Sequence, residues 1–277
     1  PLGRTLTGTE ATLARLDSGV LRAFHQRHYV PSSSVLVLAG AVESATVLAL
    51  ARQHFGGRRV APPPRPLAAS LRVARQPVLL REHASEQTQL ALGFRAFGRR
   101  DPRRTALKLA SIILGENMSS RLFRKVREQR GWAYSISSSS VHFSDAGFLA
   151  VDAGLDGERT EDGLALIVQE LARLAREVPS RAEWRAARDY AIGQLRLGLE
   201  SPSSQMNWVG EPLLLYGRWW QPGEAERRLN AVSPEAIRDV MRAVLRVRRA
   251  SLVLVGRAAC TLKESALQAL LARHLSD

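Results

Sequence analysis

Cysteine is almost absent from this sequence: Cys260 is the single one in 277 residues. One cysteine excludes an internal disulfide and any metal cluster that needs several thiolates. A catalytic thiol would need a histidine and an orienting group, and no motif in the sequence supplies them. We therefore interpret Cys260 as a small buried side chain. Long apolar runs are also missing, and none approaches the roughly 20 residues that a membrane-spanning helix needs, so we expect no membrane span.

Acidic residues are too few to balance the basic ones. Against 26 aspartates and glutamates stand 40 lysines and arginines, a net charge of +14. Such an excess favours an acidic partner, and nucleic acid is the first class to consider. The arginines, however, are spread over many predicted helices, without a basic tail or a motif that interleaves basic and aromatic residues. We therefore expect no nucleic-acid binding, and an acidic peptide substrate or partner subunit is favoured.

Hydrophobic periodicity predicts strands and helices that alternate in pairs. The predicted strands are 34–39, 76–83, 87–95, 133–143, 147–155 and 250–255. The predicted helices are 17–29, 43–55, 101–114, 118–129, 159–178, 181–199, 203–216, 222–230, 234–246 and 262–274. This order favours an α+β fold, with a sheet and helices packed on one of its faces.

A proline-rich segment divides the chain. Residues 56–66 hold two glycines and four prolines, a composition that fits neither a helix interior nor a central strand. We interpret 57–74 as an extended, semi-rigid linker. It separates residues 1–56 from a second domain, which is predicted to cover 75–277.

The two sides of the linker share an internal repeat. When the chain is laid on itself, 16–40 aligns without a gap on 232–256, and Gly40 falls on Gly256. About 157 residues separate the end of the linker from the second copy, but only 15 precede the first. We therefore predict two homologous domains, of which the first is truncated by about 140 residues on its N-terminal side. The natural N-terminus is expected upstream of Pro1.

The most distinctive motifs are 115–123, GENMSSRLF, and 126–135, VREQRGWAYS. They resemble the C-terminal domain of the insulinase/pitrilysin (inverted-zincin) metallopeptidases, with mitochondrial processing peptidase and its bacterial relatives as the closest type. Residues 1–40 resemble the second half of the first domain in that family, and 193–201 also fits. The resemblance covers essentially the whole chain. It implies the end of a first domain followed by a complete, non-catalytic second domain.

The zinc motif of that family is missing from this sequence. In the family, the two histidines of H-x-x-E-H bind zinc and the glutamate activates a water molecule. None of the six histidines stands in such a motif. His25 and His28 have the spacing of a metal pair on a helix, but no glutamate accompanies them, and packing is favoured; the same holds for His83. The resemblance thus implies no metal ligand and no catalytic residue here, and zinc in the missing half or in a partner subunit.

Two residues are implied to bind substrate. In the family, an arginine and a tyrosine seven residues apart in the second domain reach the scissile region of the peptide, and these positions match Arg127 and Tyr134. A guanidinium and a phenol both donate hydrogen bonds to a carbonyl oxygen. Taken without the resemblance, Arg127 would be interpreted as part of a solvated helix face and Tyr134 as part of a strand core.

Two functions follow from the resemblance. The first is the substrate-binding, non-catalytic portion of a zinc metalloendopeptidase that cleaves peptides in an enclosed chamber. Its partner would be a half or a subunit that carries H-x-x-E-H, in a homo- or heterodimer. The alternative is a catalytically inactive scaffold or binding subunit. The resemblance favours a bacterial protein, and the sequence does not decide between cytoplasm and periplasm.

Overall fold

The computed structural model describes residues 3, 5–56, 67–69 and 77–275 of the chain. The chain divides into two compact units. One comprises Pro1–Ser70 and Gln194–Glu224, and the other comprises Leu71–Gly193 and Ala225–Asp277. Most of the predicted linker and the side chain of Cys260 lie outside the described residues. The predicted boundaries at 56 and 75 stay predictions.

The second unit contains a five-stranded mixed sheet. Its strands are β1 (Val78–Arg81), β2 (Gln87–Ala96), β3 (Ala133–His142), β4 (Gly147–Asp156) and β5 (Ala250–Val255). They lie in the order β1-β5-β2-β4-β3. The β1–β5 pair is parallel and the other three pairs are antiparallel. The last of these strands along the chain is therefore inserted between the first two.

The described residues form ten α-helices. They are α1 (Glu10–Leu13), α2 (Ser18–His28), α3 (Ser44–Phe55), α4 (Arg104–Ser111), α5 (Thr160–Arg176), α6 (Arg181–Gly198), α7 (Pro202–Tyr216), α8 (Pro222–Asn230), α9 (Pro234–Val244) and α10 (Glu264–His274). None of these helices combines the length and the apolar composition that crossing a bilayer requires.

The core of the second unit lies on one face of the sheet. Alternate strand residues point into it, and several are at most 1% exposed, among them Leu92, Phe94, Leu149, Val151 and Leu252. Helices α4, α5 and α9 cover this face with buried leucine and isoleucine side chains such as Leu107, Leu164 and Ile237. Full burial of each such side chain contributes about 1.5–3 kcal/mol. The predicted α+β class, with helices packed on one face of a sheet, is confirmed.

The elements of the two repeat copies begin and end at equivalent residues. When 16–40 is laid on 232–256, helix α2 coincides with helix α9, and the 3₁₀ turn Pro31–Ser33 coincides with Val247–Arg249. Each copy then reaches a glycine with positive φ, 139° at Gly40 and 155° at Gly256. The local conformations of the two copies therefore agree at the helix, the turn and the glycine.

The predicted strand at 34–39 was wrong. Its residues form no strand, although Ser34 has extended backbone angles of −122° and 145°. A strand exists only when a second strand shares its hydrogen bonds, and no described segment pairs with 34–39. Its apolar side chains are consequently exposed, by 42% at Val35 and 58% at Leu36.

The helices predicted at 101–114 and 118–129 have different ends and a different form. Asp101 accepts hydrogen bonds from the backbone and side chain of Arg103, and α4 begins only at Arg104. Wider π-helical turns occupy Ile112–Glu116 and Phe123–Glu128. Periodicity does not distinguish such a turn from an α-helix, because the wider turn leaves the apolar pattern nearly intact.

Candidate functional site

The face of the sheet opposite the helices is lined by small and polar side chains. On β3, Ser135 and Ser137 are exposed, whereas Ile136 between them is buried. Ser137 pairs with Asp152 on β4, and Asp152 pairs with Ala91 on β2. Because side chains alternate between the two faces of a sheet, these residues form a row across three neighbouring strands. We call this surface the open face.

A cavity of about 350 Å³ lies on the open face. Strands β2, β3, β4 and β5 form its floor, and Arg127 lines it from a neighbouring helical segment. Its polar lining consists of Gln89, Arg127, Ser135, Ser137 and Asp152. The cavity thus offers hydrogen-bond donors and acceptors, one positive charge at Arg127 and one negative charge at Asp152.

Arg127 is carried by the π-helical segment Phe123–Glu128. Val126 is fully buried and fixes this segment to the core, whereas Arg127 is exposed. The guanidinium carbon lies 4.8 Å from the centroid of the Phe123 ring, a cation–π contact that limits where the side chain points. The guanidinium has no hydrogen-bond or ion-pair partner in the described part of the chain. Its donors are therefore available to a ligand in the cavity.

A glycine turn and a β-bulge place Tyr134. Gly131, with φ of 67°, turns the chain from the helical segment towards β3. Ala133 then pairs with Leu155 and Ser135 with Gly154, so that Tyr134 is an extra residue without a partner on β4. Its side chain is 74% exposed. Tyr134 does not line the cavity, but it adjoins Ser135, which does.

The same region holds β3 tightly against the helices. Ser138, on the buried face of β3, donates a hydrogen bond of 2.7 Å to the carbonyl oxygen of Ser111. A Cβ atom at Gly115 would lie 2.7 Å from the backbone nitrogen of Ser138, so only glycine fits there. Gly115 lies within the π-helical turn Ile112–Glu116. Strand β3, which carries Ser135 and Ser137 of the open face, is thus packed closely against the helical side.

The described residues do not fit a zinc site. They contain no group of three or more histidine, cysteine, aspartate or glutamate side chains that could hold a metal ion. His25 and His28 instead stack on aromatic neighbours, with ring centroids 4.8 Å from Tyr29 and 4.2 Å from Phe24. His83 is exposed in the loop between β1 and β2.

A second cavity, of about 190 Å³, lies among charged side chains on the helical side. Arg121 binds Glu183 through two hydrogen bonds of 2.7 and 3.1 Å, and Lys125 binds Glu170 at 2.5 Å. Burial opposes ionisation of Glu183, but Arg121 and donors from Ser180 outweigh it and lower the pKa of Glu183 to about 2. Since the two acids neutralise two of the nearby cations, this cluster is a structural ion-pair network.

Sequence reasoning did not find Gln89, Ser135, Ser137 and Asp152. A signal was present in 133–142, AYSISSSSVH, which holds five serines in a predicted strand. An aspartate inside the apolar run of β4 was a second signal, because aspartate is depleted in strands. Neither signal shows which residues of neighbouring strands lie side by side, because that depends on the pairing register.

Comparison with known sequences gives two similarities. Residues 15–190 match the sequence profile of the peptidase M16 inactive domain. An uncharacterized zinc protease of Mycobacterium tuberculosis is 36% identical over 257 residues, which cover 92% of this chain and 59% of that protein. The chain therefore spans less than two thirds of the length of this relative.

Two solved structures share the fold. The peptidase M16 inactive domain from Pseudomonas fluorescens has a TM-score of 0.80 and 23% identity, over 90% of this chain and 60% of that chain. A chain of complex III2 from Candida albicans has a TM-score of 0.84 and 18% identity, over 98% of this chain and 66% of its own length. At these identities the two likenesses establish the fold alone.

Proposed function

The chain belongs to the insulinase-like peptidase M16 family, with the inactive domain of that family at residues 15–190, and we propose that it is the non-catalytic, substrate-binding part of a zinc metallopeptidase. The zinc ligands would lie in the part of the relatives that this chain does not span, or in a partner chain. In both cases this chain supplies a surface that holds a peptide.

The observation that carries the proposal is the position of Arg127 at the cavity on the open face. Its guanidinium has five N–H donors in a planar fork, and no group of the described chain occupies them. A peptide carbonyl oxygen accepts hydrogen bonds from such a group. When negative charge develops on that oxygen during acyl transfer, a fixed donor stabilises it further. Arg127 is thus suited to hold and to polarise a carbonyl group.

Tyr134 would act from the neighbouring bulge. Bulges often re-aim a side chain next to an active site, and the exposed phenol hydroxyl of Tyr134 donates one hydrogen bond. The serine hydroxyls of Ser135 and Ser137 add donors and acceptors along the peptide. These groups bind the main chain of a peptide, which all peptide substrates share.

Binding of a blocked, fluorescein-labelled 12-residue peptide to the 277-residue chain tests this proposal by fluorescence polarisation. We expect Arg127→Ala to weaken binding by about tenfold or more, since a charge-assisted hydrogen bond contributes about 1.5–3 kcal/mol and each 1.4 kcal/mol is about tenfold. Arg124→Ala is the matched control, because Arg124 is exposed on the same helical segment but does not line the cavity. Tyr134→Phe, which removes only the hydroxyl, should weaken binding by a smaller factor at unchanged melting temperature.

Equal binding by wild type, Arg127→Ala and Arg124→Ala would contradict the substrate-binding role. So would the absence of any binding. Either result would favour the alternative, in which the chain assembles with a partner without touching substrate.

A further inference from the structure

Asp152 is an acidic residue in the middle of β4, on the open face of the sheet. It is exposed and lines the cavity together with Arg127. Its carboxylate has no hydrogen-bond or ion-pair partner in the described chain, and Arg127 does not pair with it. Aspartate is one of the residues that strands disfavour. The sheet therefore gains nothing from a carboxylate at this position.

The neighbours of Asp152 leave room above it. Across the strands it pairs with Ala91 on one side and Ser137 on the other, and both side chains are small. Ala150 and Gly154 are its neighbours on the same face of β4, and the side chains of Gln87 and Ser135 lie over Gly154 but not over Ala150. A Cβ atom at Gly93, one row away, would meet no atom within 4 Å. A ligand group can thus approach the carboxylate from the open side.

In contrast to Asp152, acidic side chains on the helical side of the same unit have ion-pair partners. Glu183 pairs with Arg121, Glu170 with Lys125, and Glu116 with Lys108. With 40 lysines and arginines in the chain, cations are abundant. Among the described residues, none of these cations is within ion-pairing distance of Asp152, so its charge is left for a group from outside the chain.

We propose that Asp152 binds a cationic group of the substrate peptide, either the side chain of a lysine or arginine or the ammonium group of a free N-terminus. This inference rests on the proposed function, since it concerns the same cavity. Arg127, at another part of the lining, repels a second cation and attracts a carbonyl oxygen. The two charges together would fix the direction in which a peptide lies. The net charge of +14 does not prevent this, because salt screens charges beyond about 8–10 Å.

Three peptides distinguish the two sources of the cation. The first is acetylated and amidated with one central lysine, the second has glutamine instead of that lysine, and the third has glutamine and a free N-terminus. Fluorescence polarisation with the 277-residue chain at about 0.15 M salt, where the Debye length is about 8 Å, measures each affinity. We expect the first or the third peptide to bind roughly fivefold more tightly than the second, the range of a partly exposed ion pair. At high salt, where such pairs are screened, the difference should vanish.

The decisive variant is Asp152→Asn, which keeps the shape of the side chain and removes its charge. We expect it to bind all three peptides equally. Asp239→Asn is the control: it changes the net charge by the same amount, but Asp239 lies on α9 beside Arg238, outside the cavity. This variant should keep the preference, and both variants should melt at the wild-type temperature.

The outcomes separate this inference from the proposed function. If wild type binds all three peptides equally while Arg127→Ala weakens each of them, the role of Asp152 is wrong and the substrate-binding role stands. If Asp152→Asn keeps the preference for a cation, the role of Asp152 is again wrong. If no peptide binds at all, the substrate-binding role itself fails.

Discussion

The two copies of the internal repeat have nearly the same local structure but opposite environments. Helix, 3₁₀ turn and positive-φ glycine coincide when 16–40 is laid on 232–256. In the second copy, 250–255 is strand β5 between β1 and β2. In the first copy, the equivalent 34–39 pairs with no described strand. Leu36 is 58% exposed, whereas its counterpart Leu252 is 1% exposed.

This difference separates local from non-local determinants. Capping residues, turns and glycines act over a few residues, so the same sequence pattern gives the same conformation in both copies. Hydrogen bonding of a strand and burial of its side chains depend on residues that are distant in sequence. Within the described residues, 250–255 has a strand partner on each side, and 34–39 has none.

The largest expected difference in the free energy of unfolding is between Leu252→Ala and Leu36→Ala, which remove the same atoms at equivalent positions. In the buried copy, the cavity left behind should lower the free energy of unfolding by about 2–5 kcal/mol. In the exposed copy, the change should stay within about 0.5 kcal/mol. Urea denaturation, with hydrogen exchange of β5 amides as the probe of the second unit, measures both. Similar losses would show that 34–39 is buried in solution.

A smaller difference is expected between Gly256→Ala and Gly40→Ala. Both glycines have positive φ, so both substitutions strain the backbone by about 1 kcal/mol or more. At Gly256 the new Cβ would also lie 2.9 Å from Cα of Thr88, whereas at Gly40 it would meet nothing. Because overpacking carries its own penalty, we expect Gly256→Ala to cost about 2 kcal/mol more than Gly40→Ala in urea denaturation. Equal losses of stability in the two variants would mean that β2 shifts at Thr88 to accommodate the added Cβ atom without a measurable penalty.

The smallest difference concerns the N-caps Ser233 and Asp17. The hydroxyl of Ser233 accepts a hydrogen bond from the Ala236 nitrogen at 3.1 Å, and the carboxylate of Asp17 accepts one from the Val20 nitrogen at 2.8 Å. Loss of a cap costs about 1 kcal/mol. In α9, which has buried residues, Ser233→Ala should lower the melting temperature of the unit.

In α2, which has no buried residue, Asp17→Ala should only speed hydrogen exchange in the first turn. Hydrogen exchange at the start of each helix, measured beside the melting temperature, separates the two responses. A fall in melting temperature with Asp17→Ala that matched the fall with Ser233→Ala would indicate that α2 is part of a cooperative core.

Sequence patterns predicted the elements well where the cause is local. Strand 250–255 and helix 222–230 have the predicted bounds, and both are delimited by turn residues next to apolar periodicity. The prediction of a strand at 34–39 was wrong, although the segment has the apolar pattern of a strand. A strand also needs a second strand to share its hydrogen bonds, and no described segment provides one. In the candidate site, Arg127 and Tyr134 were named from the family resemblance, and their substrate-binding role stays a prediction. Asp152 could be placed beside the cavity only with the register of three strands.

The bulge at Tyr134 determines what deletion of this residue would change. Because Ala133 pairs with Leu155 and Ser135 with Gly154, removal of Tyr134 would leave an ordinary antiparallel ladder with the same residues facing the core. The sheet would lose no pairing and no buried side chain. Deletion of this one residue would therefore remove an exposed phenol and keep every strand pair of the sheet. The bulge thus adds a surface group to the domain and nothing to its core.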